Sequence, residues 1–293
     1  MVIVITGSTR GIGLGLAHAF AARGAAVVVS GRAQEAVDEA VRGLLEARPS
    51  AQVLGLACDV RDAGSVEALW DAAVARFGQV DCWINNAGTC NAIRPYVELS
   101  ADELASVLDV NVRGAMNGSL IAARGMARQR EGGHVFNMEG WGSRGEWSPG
   151  MTPYCTTKRA LRYFTDGLAR ELAGTEVRAG TLSPGMVATD LLVSSYERGA
   201  HANWLRMKWL FRFVVDPADE VCGFLADRIL KRPKNRAHIT WMTPLRLLSR
   251  FFRPRYWRRN PFAGTALDKL GEQTRTEGPA EAGPSVGGSA GER

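Results

Sequence analysis

Short apolar runs alternate with longer amphipathic stretches through the first 190 residues, and that rhythm predicts the fold. Val2 to Ile5 is continuously apolar, with no polar residue at every second position, as in a strand buried on both faces of a parallel sheet. Val27–Ser30, Val53–Ala57, Val80–Ile84, His134–Met138 and Val177–Leu182 read as further strands. Between them lie helical stretches, including Ile12–Arg23, Leu104–Gln129 and Tyr154–Leu172. Such alternation predicts an α/β fold: a doubly wound, Rossmann-like parallel sheet in a single domain, with active-site residues at the carboxyl ends of the strands.

The pattern changes after residue 190. Trp204, Leu205, Trp209, Leu210, Phe211 and Phe213 interleave with Arg206, Lys208 and Arg212, a spacing that allows a helix with one aromatic and one basic side. It reads as a lid over a large apolar substrate, as a membrane contact, or as a packed helix whose basic side chains reach past it to water. Arg228 to Phe262 contains many Lys and Arg and no Asp or Glu. Within it, Phe251, Phe252, Tyr256 and Trp257 are set among arginines, a pattern suited to anionic headgroups or to a solvated basic face. Basic runs also bind nucleic acid, but no nucleic-acid fold accompanies this one. Domain bounds follow: 1–265 for the folded unit, its lid and basic extension at about 191–262, and a Gly-, Pro-, Ser- and Glu-rich disordered tail at 271–293.

Composition adds a few limits. The chain has 293 residues, 46% of them hydrophobic, enough for one sizeable core. Its net charge of +6 is concentrated in the C-terminal third. The five cysteines are odd in number and form no Cys-x-x-Cys pair, so a reducing compartment is expected; the four scattered histidines show no metal spacing. No signal peptide or continuous transmembrane run is evident. The expected location is cytoplasmic or peripheral to a membrane, or an organelle if a transit peptide has been removed.

The chemistry lies in two places. Thr6-Gly-Ser-Thr-Arg-Gly-Ile-Gly13 follows the first strand and opens a helix whose free N–H groups and positive dipole end suit a pyrophosphate. Its spacing is Gly-x-x-x-Gly-x-Gly, different from the Gly-x-Gly-x-x-Gly of the commonest Rossmann enzymes. The second strand ends Ser30-Gly31-Arg32, without the acid that binds the ribose 2′-hydroxyl of NAD. Arg10 and Arg32 could instead grip a 2′-phosphate, which favours NADPH. Downstream, Tyr154 and Lys158 stand one helical turn apart in Tyr-Cys-Thr-Thr-Lys. Alone this is an ordinary exposed helix pair. Behind a nucleotide-binding start it predicts a phenol whose pKa is lowered by a neighbouring ammonium and which exchanges a proton during hydride transfer.

With these motifs in this order, residues 2 to about 190 resemble the short-chain dehydrogenases/reductases. The resemblance implies that Gly7, Ser8, Arg10, Gly11, Ile12, Gly13 and Arg32 bind the phosphates and ribose, and that Asp59-Val60 packs the adenine. It places Asn86, Ala87 and Gly88 along the cofactor, and Pro184, Gly185, Val187 and Thr189 at the nicotinamide carboxamide. Asn111 would hold a water on Lys158, and the Leu104–Gln129 and Tyr154–Leu172 helices would form a homo-oligomer face.

One departure stands out. Where the family carries a serine for the substrate carbonyl, this chain reads Asn137-Met-Glu-Gly-Trp-Gly-Ser143, with Gly140 at the serine's place. Either Tyr154 and backbone groups stabilise the oxyanion, or Ser143 moves in. The same segment, with Leu182-Ser-Pro-Gly-Met-Val-Ala-Thr-Asp-Leu-Leu192, resembles the chlorophyll b reductase branch. That implies NADPH-dependent reduction of a chlorophyll-like pigment. A reductase of another bulky carbonyl, such as a steroid, retinoid or lipid ketone, and a catalytically weak pigment-binding scaffold remain open.

Overall fold

The computed structural model describes residues 1–189 and 209–263. In chain order the first half comprises β1 (Val2–Ile5), α1 (Gly11–Ala21), β2 (Ala26–Gly31), α2 (Gln34–Ala47), β3 (Val53–Ala57), α3 (Ala63–Phe77), β4 (Cys82–Asn85), α4 (Ala101–Leu108), α5 (Gly114–Met126) and β5 (Gly133–Met138). The second half comprises α6 (Thr152–Glu171), β6 (Val177–Ser183), β7 (Met186–Val187), β8 (Val215–Asp216), α7 (Ala218–Leu230), β9 (His238–Thr240), α8 (Pro244–Phe251) and α9 (Pro254–Arg258).

Seven strands form one sheet in the order β3-β2-β1-β4-β5-β6-β9, and every pairing is parallel. Successive side chains of a strand face opposite ways, and the sheet therefore feeds two cores. Ile3 and Ile5 join Leu16, Phe20, Val37, Leu44, Val221 and Leu225 from α1, α2 and α7. Val2 and Val4 join Val66, Leu69, Ala122 and Met126 from α3 and α5. Each fully buried Val, Leu, Ile or Phe is worth roughly 1.5–3 kcal/mol, so the doubly buried strands explain why the sheet forms without polar alternation. The fold is the expected doubly wound, single-domain α/β architecture.

Three departures have physical causes. The fourth strand begins at Cys82, because the Val80 N–H and C=O pair with the Gln129 side chain rather than with a neighbouring strand. The long helix expected over Leu104–Gln129 is broken by a π turn, Asp109–Arg113, between α4 and α5. Such wide turns are frequent at functional sites, and Asn111 lies within this one. The seventh strand, β9, has only three residues and offers no apolar run; its pairing with β6 creates it.

Within the segment expected to form a lid, Trp204, Leu205, Arg206 and Lys208 lie outside the described residues, as does the tail from residue 271. Residues 209–214 are helical and lead into β8, which pairs in parallel with β7. Among the described residues no helix is long and apolar enough to cross a membrane.

Candidate active site

The glycine loop is shaped by what cannot fit beside it. Gly7 has φ +62, and a Cβ there would stand 2.8 Å from the Ala87 Cα; at Gly13 a Cβ would meet the Gly7 carbonyl at 2.4 Å. The backbone is thus pressed against the loop after β4, leaving the N-terminus of α1 open. Asn86 fixes the arrangement: its Nδ2 donates to the carbonyls of Thr6 and Gly7, both at 2.9 Å. The N–H groups of Asn86 and Ala87 donate to Thr6 Oγ1. Ser8, fully buried, donates from Oγ to Ile5 O at 2.7 Å. It therefore shapes the loop from behind. Thr189 arrives from beyond β7 to lie over Gly11, which brings the end of the Pro184-to-Thr189 turn onto the glycine loop.

Arg10, the N-cap of α1, and Arg32, just past β2, are exposed, and among the described residues neither guanidinium has a hydrogen bond or ion pair. No acid lies at the end of β2. Asp59, after β3, is bound by Arg61 at 2.5 Å, and that hydrogen bond holds its carboxyl below the usual range. Val60 is buried against Gly114. A dinucleotide fits this donor set: a glycine cradle, a helix N-terminus beside it and two exposed arginines.

The Tyr154–Lys158 pair faces this cradle from α6. Pro153 starts the helix, where a missing N–H costs nothing. Lys158 is buried and its Nζ donates to the Met138 carbonyl at 3.1 Å, 5.7 Å from the centroid of the Tyr154 ring. Gly88 lies beside it: a Cβ there would be 3.8 Å from Nζ. In the π turn, Asn111 donates through Nδ2 to Thr89 O (2.9 Å) and Thr157 Oγ1 (3.0 Å), while its Oδ1 accepts from Thr89 N (2.8 Å). Behind these, buried Asn85 donates to Asn137 Oδ1 at 2.8 Å and Asn137 donates to Thr165 Oγ1 at 2.9 Å, tying β4 and β5 to α6.

The electrostatics run opposite to one expectation. Burial raises the Tyr154 phenol above its ordinary value, and burial lowers Lys158 to about 8. The ammonium does not win, because desolvation penalises both charged forms and Nζ points to the Met138 carbonyl rather than to the hydroxyl. The resting phenol therefore keeps its proton at neutral pH, which is the state a proton donor requires.

Ser143, the other carbonyl-donor candidate, is engaged with a neighbour. Its hydroxyl donates to Glu139 Oε2 at 3.3 Å, and Ser143 is 3% exposed. A hydroxyl has one proton to give, so it cannot also donate to a carbonyl while that bond stands. Gly140, at the family's serine position, faces Tyr154 directly: a Cβ there would come within 2.3 Å of the phenol oxygen. The tip of Tyr154 occupies the space a serine side chain would take. The residue that sequence reasoning missed is Glu139. It is buried, bound by Arg162 Nη1 at 2.7 Å from α6, and its charge opposes the lowering of Lys158. The signal was a carboxylate placed directly after β5, a strand with no Asp or Glu of its own.

The basic–aromatic extension is largely folded inward. Buried Asp216 of β8 accepts from Arg250 at 2.6 Å, from Arg259 at 3.1 Å and from Trp241 Nε1 at 2.7 Å. Tyr256, 6% exposed, lies against the guanidinium groups of Arg250, Arg255 and Arg259, and Phe251 stacks on Phe213 at 4.5 Å. Tyr256 and Phe251 are thus committed to packing within the protein, while Phe252 and Trp257 remain exposed.

Known proteins of similar sequence and shape agree with this geometry. The short chain dehydrogenase family model matches residues 1–199. The chlorophyll(ide) b reductase NOL, chloroplastic, of Oryza sativa subsp. japonica is 37% identical over 85% of this chain and 74% of its own length. An Arabidopsis thaliana protein named probable chlorophyll(ide) b reductase NYC1, chloroplastic, is 35% identical over 84% of the chain, which spans only 51% of that longer relative. Among solved structures, levodione reductase superposes with a TM-score of 0.76 at 25% identity, covering 85% of this chain and 98% of its own. Actinorhodin polyketide ketoreductase with NADPH gives 0.72 at 26%, covering 82% and 94%. With fold, cradle and Tyr–Lys pair in place, the chain belongs to the short-chain dehydrogenase family of NAD(P)-dependent oxidoreductases.

Proposed function

We propose that this protein is an NADPH-dependent reductase that converts the 7-formyl group of chlorophyll b to a hydroxymethyl group, with Tyr154 as proton donor. The observation that carries the reading is the likeness, over 85% of the chain, to a protein named chlorophyll(ide) b reductase. The glycine at 140, which leaves room for the Tyr154 hydroxyl, is consistent with it.

When bound, the reduced nicotinamide supplies the hydride to the formyl carbon. Gly7, Gly11 and Gly13 would let its phosphates approach the N-terminus of α1, and Arg10 and Arg32 would bind the 2′-phosphate. Ser8 and Asn86 hold the cradle's shape, and Ile12, Ala87, Gly88, Asp59, Val60, Pro184, Gly185, Val187 and Thr189 would line the rest of the cofactor's path. As negative charge gathers on the carbonyl oxygen, Tyr154 donates its proton, and the Lys158 ammonium stabilises the phenolate left behind. Proton transfer of this kind contributes roughly 10²–10⁴-fold. Both Asn111 Nδ2 protons are committed, to Thr89 O and Thr157 Oγ1, and Oδ1 accepts from Thr89 N, so a water on Asn111 would be held by the remaining Oδ1 lone pair or by its backbone carbonyl. Ser143 acts through Glu139 rather than on the carbonyl.

Incubating the protein with chlorophyll b and NADPH, followed by pigment chromatography, tests the reading. Accumulation of the 7-hydroxymethyl pigment supports it. Turnover of a steroid or lipid ketone without any pigment product would replace the substrate, and pigment binding without product would make the protein a scaffold. A homo-oligomer through α4–α6 is part of the proposal: Leu108, Met116, Leu120 and Tyr163 stand exposed on those helices, and light scattering would measure the mass.

A further inference from the structure

We propose that α8 and α9 form a docking surface for anionic lipid, placed beside the mouth of the active site. Side-chain exposure and charge on these two helices point to it, independently of which carbonyl is reduced. Leu245, Leu248 and Phe252 recur at i, i+3 and i+7, and so share one helical stripe. They are 79%, 56% and 80% exposed, in a protein whose other large apolar side chains are mostly packed. Trp257, 45% exposed, extends the stripe from α9 and is braced there by Nε1 donating to the Phe251 carbonyl at 2.9 Å.

The opposite side of α8 explains why this stripe faces outward. Arg250 is held beneath the helix by Asp216, and Arg246 lies over the Trp241 ring at 3.4 Å and donates to the Trp241 carbonyl. Thr243 caps the helix by accepting from Arg246 N. The helix is therefore fixed to the body by its charged side, the reverse of an ordinary surface helix. What remains outside is apolar, and it is surrounded by positive charge. Residues 228–262 carry eleven Lys and Arg and no Asp or Glu. Of these, Arg253 and Arg258 are exposed, and their side chains have no hydrogen bond or ion pair among the described residues.

An apolar ridge ringed by uncompensated cations is complementary to a leaflet of anionic lipid: headgroups meet the arginines while Leu, Phe and Trp enter the interface. A protein partner that buried the ridge would have to supply acidic side chains for the arginines as well as an apolar groove. The location adds a purpose. Trp241 and Met242, immediately before α8, pack on Gly185, which turns the chain from β6 into the expected nicotinamide contact. A lipid surface met by α8 would lie close to the entrance for an apolar substrate.

The test is co-sedimentation of the full chain with vesicles of phosphatidylcholine alone, or mixed with phosphatidylglycerol. Binding is expected to the mixed vesicles, little to the neutral ones, and loss as salt rises and screens the surface. Leu248→Glu with Phe252→Glu should reduce binding at least tenfold while leaving melting temperature and reduction of a water-soluble carbonyl unchanged. Arg253→Gln with Arg258→Gln should weaken binding and flatten its salt dependence. No binding to anionic vesicles at low salt overturns the proposal, as does wild-type binding by the Glu variant. A change of oligomeric mass in that variant, without a change in vesicle binding, would also overturn it and make the ridge an interface between copies.

Discussion

Arg10 and Arg32, beside the glycine cradle, and Arg250 and Arg259, beneath β8, are the same side chain in opposite circumstances. The first two are exposed and make no hydrogen bond or ion pair among the described residues, although Asp59, already bound by Arg61, lies within reach of the Arg32 charge. The second two converge on one buried acid, Asp216, with Trp241 completing its shell. A guanidinium taken out of water must be paired, or its desolvation outweighs everything it gains. One left in water at a site mouth costs the fold little and stays available for a phosphate. Arginine count alone therefore says nothing about ligand binding; what separates the two regions is whether the fold already supplies the anion.

The contrast can be broken first at the buried end. Asp216→Ala leaves Arg250 without its counter-charge, and we expect a loss of about 3–5 kcal/mol in unfolding free energy, read from a denaturant midpoint. A loss below about 1 kcal/mol would show that the arginines reach water and that no clasp exists. At the exposed end, replacing Arg10 and Arg32 together by Ala should weaken NADPH binding roughly 10²-fold, about 2.7 kcal/mol. NADH binding and thermal stability should change little. Equal losses for both cofactors would remove the 2′-phosphate from the account.

Glu139 lies between the two extremes: a buried acid paired with a partly buried arginine, near the Tyr154–Lys158 pair. The Lys158 amine, lowered to about 8 by burial, is charged below that pH and loses its charge above it. Reduction measured as kcat/KM should therefore decline as pH rises through about 8. Glu139 raises the Lys158 pKa, so Glu139→Gln should move that limb to lower pH; a merely structural role would lower stability and leave the limb in place. The smallest effect is expected for Ser143→Ala, which removes one hydrogen bond to Glu139. A fall in turnover approaching the roughly 10²-fold typical of a lost oxyanion donor would return Ser143 to the carbonyl.

Much of this was legible in the sequence. Strands buried on both faces show as apolar runs, and β1, β3 and β6 begin where those runs begin. The glycine spacing and the missing acid at Arg32 are local facts, and the chain alone displays them. What the sequence hid depends on contacts between distant segments. β9 exists because β6 offers an edge. The basic–aromatic stretch looked like an open surface because Asp216 lies 34 residues from Arg250 in the chain. The direction of the Tyr154 shift was misread for the same reason: spacing shows the neighbouring ammonium, but not the burial that outweighs it. Glu139 was visible as a residue, and only the approach of Arg162 and Ser143 gives it a role.

The most direct test of the central claim, that Tyr154 supplies the proton at a nicotinamide site, is Tyr154→Phe under single-turnover conditions with NADPH and chlorophyll b. Binding of NADPH, followed by its fluorescence, should match the wild type while 7-hydroxymethyl product is lost. Product formation by the variant at a rate near that of the wild type would contradict the account.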